Sequence, residues 1–235
     1  YGYPVFNFYP PGVFYLGGLL GLIGLAIPLA FNIVAALAWL LGSVGMYALA
    51  KRWLPASSAL LAAALWAYAP SRLYEVWDQG SLPQIMAAAC VPWIFLGLTL
   101  AAQRPTRRSI LALALPTAGM VLAHQPITLI TGLFLAPAAL LLPLAAAWGD
   151  RQTFVHRFAC VMGGLALGAG LAAIFLVPLA FELKYVQAAA EAPDVIPYLR
   201  SNFLLPGQLF MQPPPVDLTD LRYKLPTTLG LAGGL

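Results

Sequence analysis

Long uncharged, apolar stretches dominate the chain. They cover residues 1–50, 53–71, 79–103, 109–149 and 158–181. A run of about 18 or more such residues is long enough to cross the hydrocarbon core of a bilayer as a helix. The pattern therefore predicts an all-α fold, a polytopic bundle of transmembrane helices.

Prolines, polar turns and charged clusters divide these stretches into six predicted full spans. These spans are Leu29–Ala50, Leu54–Ala69, Pro83–Ala101, Ser109–Ala123, Ile127–Ala147 and Phe158–Pro178. We divide the chain accordingly into an N-terminal segment (1–28), a transmembrane bundle (29–181), a polar region (182–225) and the start of a further span (226–235).

The N-terminal segment predicts a helix at the membrane interface. The first ten residues are rich in aromatic rings and prolines, so we expect an extended backbone there, with the rings in the headgroup zone. From Pro11 to Leu25 the chain is apolar but short for a span. A full crossing by this helix is the alternative. The sequence lacks an initial Met and ends inside an apolar run, so we expect it to be part of a longer protein.

The charges alternate between the ends of the predicted spans. Seven of the twelve basic residues flank one set of ends, namely Lys51, Arg52, Arg104, Arg107, Arg108, Arg151 and Arg157, with Asp150 as the one acid among them. The other seven acids flank the opposite ends. Basic residues beside spans mark the cytoplasmic side. The opening segment, the 72–81 loop, His124 and the region after Phe181 are therefore predicted to share the outer face.

Composition supports a membrane protein and excludes several other classes. Of 235 residues, 61% are hydrophobic and 9% are charged, whereas soluble domains carry about 25% charged residues. The net charge of +4 follows from the basic inner turns, so no nucleic-acid partner is predicted. Cys90 and Cys160 are expected at opposite faces as reduced, buried side chains. Walker, dinucleotide-binding, zinc-protease and CxxC motifs are absent from the sequence.

The outer loop after the second span carries the first candidate site. Glu75 and Asp78 are suited to act as a general base or to hold a divalent cation, and Arg72 is suited to clamp a phosphate. A solvated loop with an aromatic anchor is the alternative.

Other outer-face residues extend this candidate site. His124 ends a predicted helix, where the dipole favours a cationic imidazole, and Gln125 follows it. Lys184 is placed to meet a phosphate or to pair with Glu182. Tyr3 and Asn7 are candidates for a sugar site. A polar helix stop, a structural ion pair and interfacial anchoring are the respective alternatives.

Six segments together resemble a known family. They are 1–11 (YGYPVFNFYPP), 68–74 (YAPSRLY), 80–84 (GSLPQ), 123–126 (AHQP), 175–187 (FLVPLAFELKYVQ) and 202–210 (NFLLPGQLF). In this order they resemble the bacterial membrane proteins described as 6-pyruvoyl-tetrahydropterin synthase-related, which are similar to the GT-C superfamily of polytopic glycosyltransferases. The resemblance implies a multi-pass protein of the bacterial inner membrane.

The resemblance also implies a reaction. A sugar moves from a polyprenyl-phosphate carrier to an acceptor on the outer face, and basic side chains or a cation stabilise the phosphate leaving group. The family's usual acid in the first outer loop would precede Tyr1, so Glu75 and Asp78 are the candidates to act as catalytic acids in its place. With the predicted outer-face location, the resemblance makes Arg72, His124, Gln125, Lys184, Tyr3 and Asn7 the candidate substrate contacts. The candidate cofactor is a divalent cation.

The chain departs from the family pattern around Gly80. The family favours a basic residue before this glycine and Glu four residues after it, whereas this chain has Gln79 and Gln84. A non-enzymatic membrane scaffold or biogenesis factor of the same fold is therefore an alternative. A lipid or polysaccharide transporter is the other.

Overall fold

The computed structural model describes residues 5–77 and 79–185. Across this part of the chain the protein is α-helical, without a β-strand. The helices are α1 (Val5–Phe8), α2 (Gly12–Leu22), α3 (Ile27–Ala50), α4 (Ala56–Ala67), α5 (Pro70–Trp77), α6 (Leu82–Gln103), α7 (Arg107–Ala123), α8 (Gln125–Ala146), α9 (Arg151–Leu171) and α10 (Ala173–Glu182), followed by a 3₁₀ turn at Leu183–Tyr185. The predicted all-α fold is confirmed; Tyr3, Asp78, most of the polar region and the further span lie outside the described residues.

Four of the helices are long and apolar enough to cross a membrane. They are α3, α6, α8 and α9, each of 21 to 24 residues. The helix found at the predicted second span is shorter than predicted. It is α4, which has 12 residues, or about 18 Å, and ends before Pro70. The predicted fourth span lies in α7, which has 17 residues.

The predicted sixth span, Phe158–Pro178, has different bounds. Helix α9 already begins at Arg151, because the Asp150 carboxylate accepts hydrogen bonds from the backbone N–H groups of Gln152 (3.0 Å) and Thr153 (3.2 Å). The helix ends at Leu171, and a turn at Ala172 separates it from α10. The basic turn expected before Phe158 therefore forms the first turns of a helix.

Helix α6 lies at the centre of the bundle. It packs against α3, α7, α8 and α9. Of an apolar 18-residue stretch of α6, 61% is buried, whereas the corresponding share is 17–22% in the other three long helices. Glycine permits the closest of these contacts. A Cβ added to Gly97 would lie 2.5 Å from the carbonyl oxygen of Ala112 on α7. Small residues thus allow the helix backbones to approach, as is common in membrane bundles.

Seven of the basic residues, those predicted to flank the inner ends of the spans, lie at one end of the bundle. Arg52 Nη2 donates to Gln103 Oε1 at 2.7 Å, and Arg157 Nη1 donates to the carbonyl oxygen of Ala102 at 2.8 Å. These contacts join the ends of α3, α6 and the start of α9. Which side of the membrane this end faces stays a prediction.

The opposite end is uneven, and we call it the recessed end. Gly42 of α3 lies beside Ala89 of α6, because a Cβ on Gly42 would be 3.0 Å from the Ala89 Cα. Helix α3 begins fifteen residues before Gly42, whereas α6 begins seven residues before Ala89. At 1.5 Å per residue, α3 therefore extends beyond the start of α6 by about 12 Å.

Helices α1, α2 and α10 complete the border of the recessed end. Gly12, at the start of α2, lies against the backbone of Leu122 near the end of α7, and Gly17 lies against the Phe31 ring on α3. Phe175 of α10 packs with Val121 of α7. The start of α6 thus lies below a border formed by these elements.

The N-terminal segment differs in detail from its prediction. The predicted extended backbone is replaced at Val5–Phe8 by one helical turn. The five residues between Pro4 and Pro10 are enough to form a single turn without a proline inside it. Helix α2 has 11 residues, or about 16 Å, and Gly24, with φ +93°, turns the chain into α3. This length is about half of what a full crossing needs. Its interfacial position stays a prediction.

Candidate functional site

A buried ion pair lies on the short helix α5. Arg72 and Glu75 are three residues apart, so both side chains lie on one face of the helix. They are 4% and 8% exposed, and Arg72 Nη1 donates to Glu75 Oε2 at 2.5 Å. The other carboxylate oxygen, Oε1, accepts from Gln84 Nε2 at 2.9 Å. Glu75 therefore joins α5 to the first turn of α6.

The guanidinium of Arg72 has one paired edge and one unpaired edge. Nε and Nη2 have no hydrogen-bond partner among the described residues. The carbon atom Cζ lies 5.6 Å from the ring centroid of Trp66, a cation–π contact. Burial lowers the pKa of Arg72, and the Glu75 carboxylate opposes this, so the group stays protonated. Both donor atoms are themselves buried, so this edge of the guanidinium is unpaired within the described residues and closed to solvent.

His124 joins the same group from the junction of α7 and α8. Its Nδ1 accepts from the backbone N–H of Ile127 at 3.4 Å, so the imidazole caps the N-terminus of α8. Burial lowers the pKa of His124, and the nearby charge of Glu75 raises it in part. The expectation of a cationic imidazole is corrected here, because the start of α8 and the acceptor role of Nδ1 both favour the neutral ring. We call Arg72, Glu75, Gln84 and His124 the arginine cluster.

A cleft of about 420 Å³ lies next to the start of α6. It lies between the start of α2 and the turn from α5 to α6, and Pro83 at its edge directly precedes Gln84. Gly80 in this turn has φ +60°, a conformation that side chains rarely adopt. The lining residues are Tyr9, Val13, Phe14, Gln79, Gly80, Ser81, Leu82 and Pro83.

The other predicted site residues have different surroundings. Asn7 Nδ2 donates to Glu182 Oε2 at 2.6 Å and so ties α1 to α10. Lys184 is exposed, with its ammonium 5.0 Å from the Tyr185 ring centroid. Gln125 is half-buried next to His124. The structure thus brings Arg72, Glu75 and His124 together, and it places Asn7 and Lys184 at the border.

Two residues of the site have no prediction behind them. In the sequence, Gln84 stands out only because the family favours Glu at this position. Its amide donates a hydrogen bond to Glu75, whereas a glutamate at position 84 would repel the Glu75 carboxylate. Trp66 lies on α4, six residues before Arg72, and the bend at Pro70 brings its ring to the guanidinium. A glutamine at the start of a helix near a buried acid was the available signal for Gln84.

Potential metal ligands are sparse in the structure. Over 5–77 and 79–185, no three His, Cys, Asp or Glu side chains lie close enough together to hold a metal ion.

A profile of the 6-pyruvoyl-tetrahydropterin synthase-related domain, described as a membrane protein, matches residues 6–206. The chain belongs to this family. The matched range includes the arginine cluster, the cleft and every helix from α2 to α10, so the family and the membrane-length helices agree. Curated proteins and solved structures gave no match.

Proposed function

We propose that this chain is part of a membrane glycosyltransferase that moves a sugar from a polyprenyl-phosphate carrier to an acceptor at the recessed end. The observation that carries the proposal is the buried, unpaired edge of Arg72, formed by Nε and Nη2, which a phosphate would reach when the groups that cover it move aside. These two atoms lie on the same side of the planar guanidinium. Together they form a fork that matches two oxygens of one phosphate.

The Glu75 carboxylate makes this fork rigid. It holds Nη1, while Gln84 holds the carboxylate from α6, so the guanidinium is fixed before a ligand arrives. Donors fixed in this way cost little reorganisation when negative charge develops on a leaving group. In the proposed reaction the acceptor oxygen bonds to the anomeric carbon, the bond from this carbon to the phosphate oxygen breaks, and Arg72 stabilises the departing polyprenyl phosphate.

The acceptor hydroxyl must lose a proton in this reaction. Each oxygen of the Glu75 carboxylate accepts one hydrogen bond and has a second lone pair, so Glu75 can accept a further hydrogen bond or a proton. Asp78 is the second candidate for this role. His124 can contribute as a neutral donor, because Nδ1 accepts from Ile127 and the proton of the neutral ring is then on Nε2.

A charge-neutral double variant of the full-length protein tests the proposal. In Arg72→Gln, transfer from a polyprenyl-phosphate sugar should fall by about two to three orders of magnitude, the usual cost of losing a transition-state donor. That change also leaves Glu75 buried without its partner. In Arg72→Gln/Glu75→Gln no buried charge is left unpaired, so folding should recover while transfer stays low.

Arg151→Gln is the matched control, because Arg151 is exposed at the opposite end. Its transfer should equal that of the unchanged protein. Full transfer by a well-folded double variant would contradict the role of Arg72.

One observation favours a second function, that of a non-enzymatic scaffold. The contacts of Glu75 with Arg72 and Gln84 attach α5 to α6, which is a structural role in itself. For a scaffold, the double variant should restore both folding and assembly with its partners. The same pair of variants therefore separates the two functions.

A further inference from the structure

The cleft next to the start of α6 has two chemically different walls. Tyr9 and Phe14 provide one wall, with ring centroids 5.9 Å apart and an interplanar angle of 59°. The other, which we call the polar wall, consists of Gln79, Gly80 and Ser81 together with the apolar Leu82 and Pro83. The cleft volume of about 420 Å³ lies within the range of small-molecule sites.

We propose that this cleft binds an uncharged pyranose ring. The apolar C–H face of the sugar stacks on the rings of Tyr9 and Phe14, and its hydroxyl groups bond to the Gln79 amide, the Ser81 hydroxyl and the Gly80 backbone. This inference rests on the proposed function, since the sugar is the group transferred there.

The aromatic wall is held in place from behind. Phe14 contacts Phe6 at 5.7 Å and Phe31 at 6.3 Å between ring centroids, so neighbouring rings fix its orientation. Tyr9 and Phe14 nevertheless remain 41% and 38% exposed. Rigid rings with an open face offer contact area at little cost in side-chain entropy.

The polar wall distinguishes a sugar from an acyl chain. An acyl chain in this cleft would cover the Gln79 amide and the Ser81 hydroxyl without offering hydrogen bonds, and burying such groups unpaired is costly. A sugar satisfies them. None of the described lining residues is charged, which favours a neutral sugar over an acidic one.

The position of the cleft fits a sugar next to a phosphate. Pro83 lines the cleft, and the following residue, Gln84, holds Glu75 in the arginine cluster. A sugar in the cleft and a phosphate on the unpaired edge of Arg72 would therefore both lie near the first turn of α6. Both groups belong to one lipid-linked donor.

Saturation-transfer NMR on the full-length protein in lipid nanodiscs tests the inference, with methyl glucoside and methyl mannoside as probes. We expect magnetisation to reach the ring protons of at least one glycoside. In Phe14→Leu, which keeps apolar packing but loses the stacking face, the dissociation constant should rise by about three- to tenfold. Phe14→Trp should retain binding.

Phe134→Leu is the matched control, because Phe134 is a 66% exposed ring on α8, remote in sequence from the cleft. Its glycoside binding should not change. Ser81→Ala/Gln79→Leu weakens binding from the polar wall and leaves the aromatic packing intact. No transfer of magnetisation to either glycoside, or equal binding by Phe14→Leu and the unchanged protein, would overturn the inference.

Arg72→Gln/Glu75→Gln separates this inference from the proposed function. Free methyl glycosides carry no phosphate, so they should bind this variant as well as the unchanged protein. Glycoside binding without any transfer activity would support the cleft and refute the transferase. Transfer activity without glycoside binding in the cleft would do the reverse.

Discussion

At the scale of single residues, His124 both caps the start of α8 and belongs to the arginine cluster. Its Nδ1 must be unprotonated to accept the hydrogen bond from Ile127, and burial lowers its pKa. A histidine that is neutral in the folded protein charges more readily when the chain unfolds. Its contribution to stability is therefore present above the unfolded pKa, about 6.5, and is lost as the pH falls below it.

His124→Asn should remove this pH dependence, because asparagine is a good helix cap that does not titrate. We expect the unchanged protein to lose stability as the pH falls below about 6.5, and the variant to lose less over the same range. Thermal unfolding in detergent at several pH values measures the difference. Identical pH profiles would show that His124 is not the titrating group.

The face on which the site residues lie could be predicted from the sequence, but the hydrogen bonds between them could not. The alternation of charge along the chain was enough to place Arg72, Glu75 and His124 on one face. The hydrogen bond from Gln84 to Glu75 depends on the angle between α5 and α6, which the turn at Gly80 sets. Such an angle has no signature in hydropathy.

At the scale of elements, glycine contacts determine how closely the central helices pack. Gly97 lies against the backbone of Ala112 and Leu113, which cannot move aside as a flexible side chain can. A Cβ added to Gly163, on α9, would meet no neighbouring group within 4 Å, so this glycine is a matched control. The two glycines therefore differ in surroundings while both lie inside apolar helices.

Gly97→Ala should destabilise the bundle by about 1–3 kcal/mol, since it forces α6 and α7 apart. Gly163→Ala should be neutral or stabilising by up to about 1 kcal/mol, because alanine is the better helix former. Unfolding by denaturing detergent compares the two. Equal stability of both variants would mean that α6 and α7 are not in close contact.

Element lengths were predictable where an uncharged run determines them. The predicted spans at 29–50, 83–101 and 127–147 lie within three residues of α3, α6 and α8 at both ends. The start of α9 was not predicted, because a local cap at Asp150 extends the helix through a basic segment. Charged residues indicate where a helix leaves the membrane, whereas capping residues determine where the helix itself begins or stops.

At the scale of the whole molecule, the two ends differ in charge and in shape. Seven basic residues gather at one end, while the recessed end carries the arginine cluster and the cleft. The positive-inside rule predicts that the basic end is cytoplasmic.

Cysteine labelling in intact cells tests this orientation in a Cys90→Ala/Cys160→Ala background. Gln79→Cys, exposed at the recessed end, should react with a membrane-impermeant maleimide added outside. Arg107→Cys, exposed at the basic end, should react only after the cells are opened. The opposite labelling would invert the orientation and place the proposed reaction in the cytoplasm.

The step of about 12 Å between the starts of α3 and α6 affects how dissolved salt acts on the protein. At physiological ionic strength, ions screen exposed charges over about 8 Å, provided that they can surround them. They have free access to the basic end, but Arg72 is 4% exposed and lies below the border of the recessed end. Its attraction for an anion should therefore persist in salt, whereas the field of the basic end fades.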